Sequence, residues 1–165
     1  MIYLDPIKQQ KIERIRIPER AFSRQNYSYC FLPEDRSPDD SAGSGLLAFI
    51  QRVLKKFGRV YYFLLKSFAP VLGSAGCQNQ LKSILANYNE DKVIVNLGSG
   101  PTVLYERADI INIDIFAFDE ADIVADASDL PIKDNSVDAI INTAMLEHVA
   151  NPQKIVHEIY RILKP

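Results

Sequence analysis

Val93-Ile-Val-Asn-Leu-Gly98-Ser-Gly100-Pro-Thr102 is the stretch that decides the fold. Five residues, apolar except for Asn96, run up to a glycine and stop. A strand covered on both faces reads this way, because neither face has to meet water. The Gly98-Ser99-Gly100 step lets the main chain turn sharply and lets a ligand approach the backbone closely. An ordinary strand-to-loop turn would look the same, so the rest of the chain has to arbitrate.

Downstream, Ile110–Ile115, Asp122–Ala125 and Val137–Asn142 read as three more short strands. A final helix takes Asn151 as its N-cap and Pro152 as its first residue, where the missing N–H costs nothing. That helix is expected to bury Ile155, Val156, Ile159, Ile162 and Leu163 and to stop at Pro165. Strands alternating with helices or loops imply a mostly parallel sheet.

Three polar positions fall at the ends of these strands. Asp114 closes the second, where nucleotide-binding α/β folds use an acid to accept hydrogen bonds from ribose hydroxyls. Asp126 with its small neighbour Ala127 follows the third, and a carboxylate there suits the exocyclic amine of adenine. Asn142 ends the fourth, in Asn142-Thr-Ala-Met-Leu146-Glu147-His148-Val149. In a doubly wound sheet the first and fourth strands flank the topological switch point, and their carboxyl ends form the ligand crevice. Any one of these acids could also be a solvated loop residue. Leu130 and Pro131 read as packing residues, and Asp138 as a cap at the start of the fourth strand.

Taken together, NLGSGP, NIDI, DIVADASDLPIKDNSVDAI and LEHVANPQKIVHEIYRILKP closely resemble the class I S-adenosylmethionine (SAM) dependent methyltransferases of the type 11, small-molecule group. The resemblance covers residues 93–165 and implies a Rossmann-like α/β fold, with the four strands in the order 3-2-1-4. It implies SAM as cofactor, with Gly98, Ser99 and Gly100 along its methionine part. Asp114 would hold the ribose, Asp126 and Ala127 the adenine, and Asn142 would face the sulfonium. Asn96 stands where the family commonly has an acid, and Thr102 where it has a third glycine, which weakens the expected pull on the ammonium group. Family members usually continue past a sequence like RILKP, so a truncated product with an incomplete sheet, its fourth strand an edge, is also expected.

A dinucleotide enzyme competes for the same features. Its fingerprint asks for a glycine in the sixth position, where Val103 stands, and for a full helix whose N-terminus binds pyrophosphate. Only Thr102–Asp109 separate the bend from the next strand. SAM carries no phosphate and a positive sulfonium, so a short helix suits it better than it suits NAD(P).

For catalysis, methyl transfer relies mainly on positioning and water exclusion. His148, one of two histidines, is the candidate general base, and capping of its own loop is the alternative role. His157 reads as structural.

The remaining chain divides by composition. Residues 1–44 read as a flexible arm and linker without a core, and 45–90 as a helical segment ahead of a half-domain over 91–165. A second short helix is expected around 76–88. Residues 46–68 form a basic amphipathic pattern, suited first to packing on the sheet or capping the crevice, then to a peripheral membrane contact, then to an anionic acceptor. Residues 1–72 carry 12 Lys/Arg against 7 Asp/Glu, and 73–165 carry 7 against 14, so a net charge of −2 hides opposite halves. No nucleic-acid motif accompanies the basic half. Cys30 and Cys77 lie far apart, giving no support to a disulfide framework or a metal site. No signal peptide or membrane-spanning run is present, so a cytoplasmic protein is expected. The function expected is methyl transfer from SAM to a small or lipid-like acceptor. A non-catalytic SAM-binding or interaction module is the alternative from another class.

Overall fold

The computed structural model describes residues 5–25, 28–32, 75–100, 107–143 and 145–165. The basic amphipathic segment 46–68 therefore lies outside the described residues. The elements are α1 (Pro6–Ile15), β1 (Ser23–Gln25), β2 (Ser28–Cys30), α2 (Ala75–Leu85), β3 (Ile94–Leu97), β4 (Ile111–Asp114), β5 (Ile123–Val124), β6 (Ala139–Asn142) and α3 (Pro152–Ile162). A short 3₁₀ turn, Leu146–His148, precedes α3.

These strands form one sheet in the order β1-β2-β5-β4-β3-β6. The four strands read from the sequence are β3, β4, β5 and β6, and they stand as 3-2-1-4, each pair parallel. Each is a residue or two shorter than expected. Alternation along β3 sorts the two faces, as the pleat requires. Val93, Val95 and Leu97 pack with Ile111 and Ile113 of β4, under Ile12 and Ile15 of α1 and Ile155 and Ile162 of α3. Ile94 points the other way and packs with Ile110, Ile141 and Leu85 of α2. Two helices thus cover one face and α2 the other.

Helix α3 begins as its sequence dictates: Asn151 accepts a hydrogen bond from the Lys154 N–H at 3.1 Å, and Pro152 follows. Its core stripe is narrower than expected, because Val156 sits outside the 155/159/162 line and is 49% exposed. Arg161 fixes the helix against the preceding loop. Its guanidinium donates to the carbonyls of Leu130 (3.0 Å) and Ile132 (2.7 Å) and to Glu158 and Asp134. Glu158 in turn accepts the Leu130 N–H at 2.8 Å.

The N-terminal segment corrects the expectation of an arm without a core. Residues 5–25 and 28–32 are built into the domain. Asp5 caps α1 by accepting from the Ile7 N–H at 2.8 Å, Pro6 takes the first helical position, and Ile12 and Ile15 are fully buried. Strand β2 runs parallel to β5 (Tyr29 beside Ile123, Cys30 beside Val124), and β1 closes an antiparallel pair on its far side. Tyr29 is buried, and its hydroxyl donates to Glu13 of α1 at 2.9 Å. Phe22, Tyr29 and Phe31 pack ring to ring, with centroids 5.0 and 5.5 Å apart.

A buried ionic knot holds α1 to the amino ends of the sheet. The Lys11 ammonium, sealed from water, donates to the Lys92 carbonyl (2.6 Å) and to the Asp109 carboxylate (2.9 Å). Arg107 grips Asp109 with two N–H groups and also donates to the Leu85 and Tyr88 carbonyls at the end of α2. Burial alone would raise the Asp109 pKa, but the hydrogen bonds and charges of Arg107 and Lys11 outweigh it and hold the group at about 2. Among the described residues no helix is long and apolar enough to cross a membrane.

Candidate functional site

The carboxyl ends of the parallel strands come out on one edge, and the sequence-predicted residues meet there. At the end of β3 the chain folds over the neighbouring strand: Gly98 and Ser99 both donate their N–H to the Ile113 carbonyl, at 2.8 and 3.2 Å. Gly98 (φ 74°) and Gly100 (φ 66°) occupy the left-handed region that side chains resist, which is why both positions are glycine. They differ in surroundings. A Cβ on Gly98 would stand 2.7 Å from the Met145 sulfur, whereas one on Gly100 would meet nothing within 4 Å among the described residues. The bend is therefore packed underneath at Gly98.

Asp114, at the end of β4, reaches this bend directly. Its Oδ2 accepts the Gly100 N–H at 2.8 Å, and its Oδ1 accepts the Phe116 N–H at 3.0 Å. The side chain is nearly buried, at 9% exposure. Ser99, at the tip, is buried, and its hydroxyl has no hydrogen-bond partner among the described residues. An orphaned buried hydroxyl is uncommon and marks a place where a ligand or water can bond.

Two residues beyond β5, Asp126 accepts the Ser128 N–H at 2.8 Å, and its own carbonyl accepts from Asp129 at 3.0 Å. This tight turn carries Asp126 and the half-buried Ala127 on the edge shared with Asp114. Asn142 ends β6 beside Leu97 of β3, and its amide lies 3.9 Å from the Met145 sulfur.

Two expected residues stand elsewhere. Asn96 is fully buried on the α2 face, and its side-chain amide donates to Oδ1 of Asn112 at 3.0 Å in the adjoining register position. Its own side-chain oxygen has no hydrogen-bond partner among the described residues. His148, on the 3₁₀ turn, is 75% exposed, with its Nε2 3.6 Å from the Glu147 carboxylate.

Sequence reasoning missed the wall beyond β5. A cleft of about 510 Å³ opens at the Asp126 turn, lined there by Ala125, Asp126 and Asp129 and, from the N-terminal segment, by Arg20, Phe31 and Leu32. The run Tyr29-Cys30-Phe31-Leu32 was the available signal, an apolar stretch inside a polar segment. Met145 was likewise unmarked, because nothing in sequence places it against a glycine 47 positions earlier.

A family described as Methyltransferase domain matches residues 58–165, well over half of the chain. The chain belongs to that family. The resemblance to class I methyltransferases holds, and it reaches further back than residue 93, into the segment ahead of α2. The family places the glycine bend, the Asp114 carboxylate and the RILKP helix in one methyltransferase domain. No curated protein matches the chain.

Proposed function

We propose that the strand-end cleft binds SAM and that the domain serves methyl transfer to a small or lipid-like acceptor. One observation carries the reading: the Gly100 N–H sits on the Asp114 carboxylate, so a glycine bend and an acid from adjacent strands form one continuous surface. The groups present suit the ligand. The glycine bend, and the Ser99 hydroxyl, which has no partner among the described residues, fit the amino-acid end. Asp114 offers acceptors for two ribose hydroxyls, and its negative charge disfavours a phosphorylated ribose. Asp126 can accept from the adenine amine while the small Ala127 leaves room for the ring, and Asn142 stands on the strand nearest the sulfonium end.

What the cofactor supplies when bound is a methyl group on a sulfonium, already activated. The protein's task is to bind, orient and exclude water, and the part-buried edge at Asp114 and Ser99 suits this. A dinucleotide fits less well, because its fingerprint asks for a glycine where Val103 stands and only Thr102–Asp109 separate the bend from the next strand. Equilibrium binding of SAM and S-adenosylhomocysteine to the full chain tests the reading. Binding that is strongly weakened in Asp114→Ala supports it, and the absence of binding by either ligand overturns it.

A further inference from the structure

We propose that the exit of β2, Phe31-Leu32, forms the outer apolar wall of the nucleoside end of this cleft, with Phe31 set against the face of a purine base. The inference rests on the reading of the Asp126 edge as the adenine side, and adds a part of the chain from outside the strands that carry the motifs. Three observations support it.

The first is topological. Because β2 runs parallel to β5, its carboxyl end emerges on the same edge as Asp114 and Asp126. The Phe31 N–H donates to the Val124 carbonyl at 2.9 Å, which fixes Phe31 one strand away from the Asp126 turn, about 4.8 Å across the sheet. The second is chemical. Phe31 and Leu32 form the apolar part of a cleft of about 510 Å³ whose remaining lining is mostly polar, Asp126 and Asp129 with Arg20 and Lys154. A purine has an apolar face for the first set and an amine edge for the second. The third is mechanical. Arg20 donates to both the side chain and the carbonyl of Asp129, and Asp129 donates its N–H to the Asp126 carbonyl at 3.0 Å. The segment leading into β1 is thus latched to the turn that presents Asp126. Phe31 is held in place by Phe22, 5.5 Å away between ring centroids.

Hydrogen exchange of the full chain with and without saturating S-adenosylhomocysteine tests this, together with calorimetry on Phe31→Leu. Leucine keeps apolar volume against Phe22 but removes the aromatic face. Slowed exchange in peptides spanning residues 20–32, as well as 93–100 and 111–116, is expected. Removal of a base–aromatic contact typically weakens binding roughly 5- to 150-fold, and Phe31→Leu should fall at the low end at an unchanged melting temperature. Protection confined to 93–100 and 111–116, with Phe31→Leu binding like the parent, would overturn the wall and leave the cofactor reading standing. No protection in any of the three regions would overturn both.

Discussion

The main-chain N–H of Gly100 and the carboxylate of Asp114 are hydrogen-bonded at 2.8 Å across the ends of two adjacent parallel strands. The acid thereby shapes the bend as well as offering a ligand site. Asp114→Asn keeps one carbonyl acceptor and should retain the fold, costing about 1 kcal/mol in denaturant unfolding. Asp114→Ala removes both acceptors and should lose about 2 kcal/mol, because two part-buried N–H groups lose their partner. S-adenosylhomocysteine affinity should fall in the same order, Asn before Ala.

The two bend glycines should respond differently to alanine. Both hold positive φ, which costs about 1–2 kcal/mol for a residue with a side chain. At Gly98 the new methyl group also meets Met145 at 2.7 Å, so Gly98→Ala should be the more destabilising in a thermal melt. Gly100→Ala meets no described residue within 4 Å, so its larger effect should appear in cofactor affinity.

Acid should unpick the knot at the amino ends of the strands. Asp109 is lowered from 3.8 to about 2, so its stabilisation is complete above 3.8 and fades as pH falls toward 2. Asp122 has the opposite sign. Burial raises its pKa against the pull of Lys8 and the Asn112 N–H, so its ionisation costs stability near neutrality, and that cost disappears as pH falls. At pH 7 Asp109→Asn should lose roughly 3 kcal/mol, since it strands the buried Lys11 charge, while Asp122→Asn should lose distinctly less. Urea unfolding of the three proteins between pH 7 and 3 measures both signs.

Arg161 is expected to be irreplaceable by lysine. Its planar guanidinium reaches two carbonyls and two carboxylates at once, a geometry an ammonium cannot copy. Arg161→Lys and Arg161→Ala should both lower stability by roughly 2–3 kcal/mol. His148→Ala, by contrast, removes an exposed side chain and should change stability by under about 0.5 kcal/mol and leave cofactor affinity unaltered.

The parts of the fold visible in sequence are those governed by short-range signals. Val93–Leu97 could be read because a strand covered on both faces is an uninterrupted apolar run, and α3 because Asn151-Pro152 is a start signal whose chemistry is local. The N-terminal elements escaped because tertiary contacts make them. Strands β1 and β2 have three residues each; β1 pairs only with β2 among the described residues, and β2 is seated on β5, nearly a hundred positions away. Helix α1 buries Lys11 beside Ile12 and Ile15, and a lysine facing inward looks like solvent surface until Asp109 is placed against it. The site followed the same rule. Asp114 and the glycine bend declared themselves through spacing, whereas Asn96 differed because its partner, Asn112, is identified only by strand register.

Calorimetric titration of SAM and S-adenosylhomocysteine into the full chain and into Asp114→Ala tests the central claim most directly. One-to-one binding to the parent that falls by roughly 30-fold or more in the variant, about 2 kcal/mol or more of lost bonding to the ribose, is the predicted result. No binding by either ligand, or binding that Asp114→Ala leaves untouched, would contradict the account.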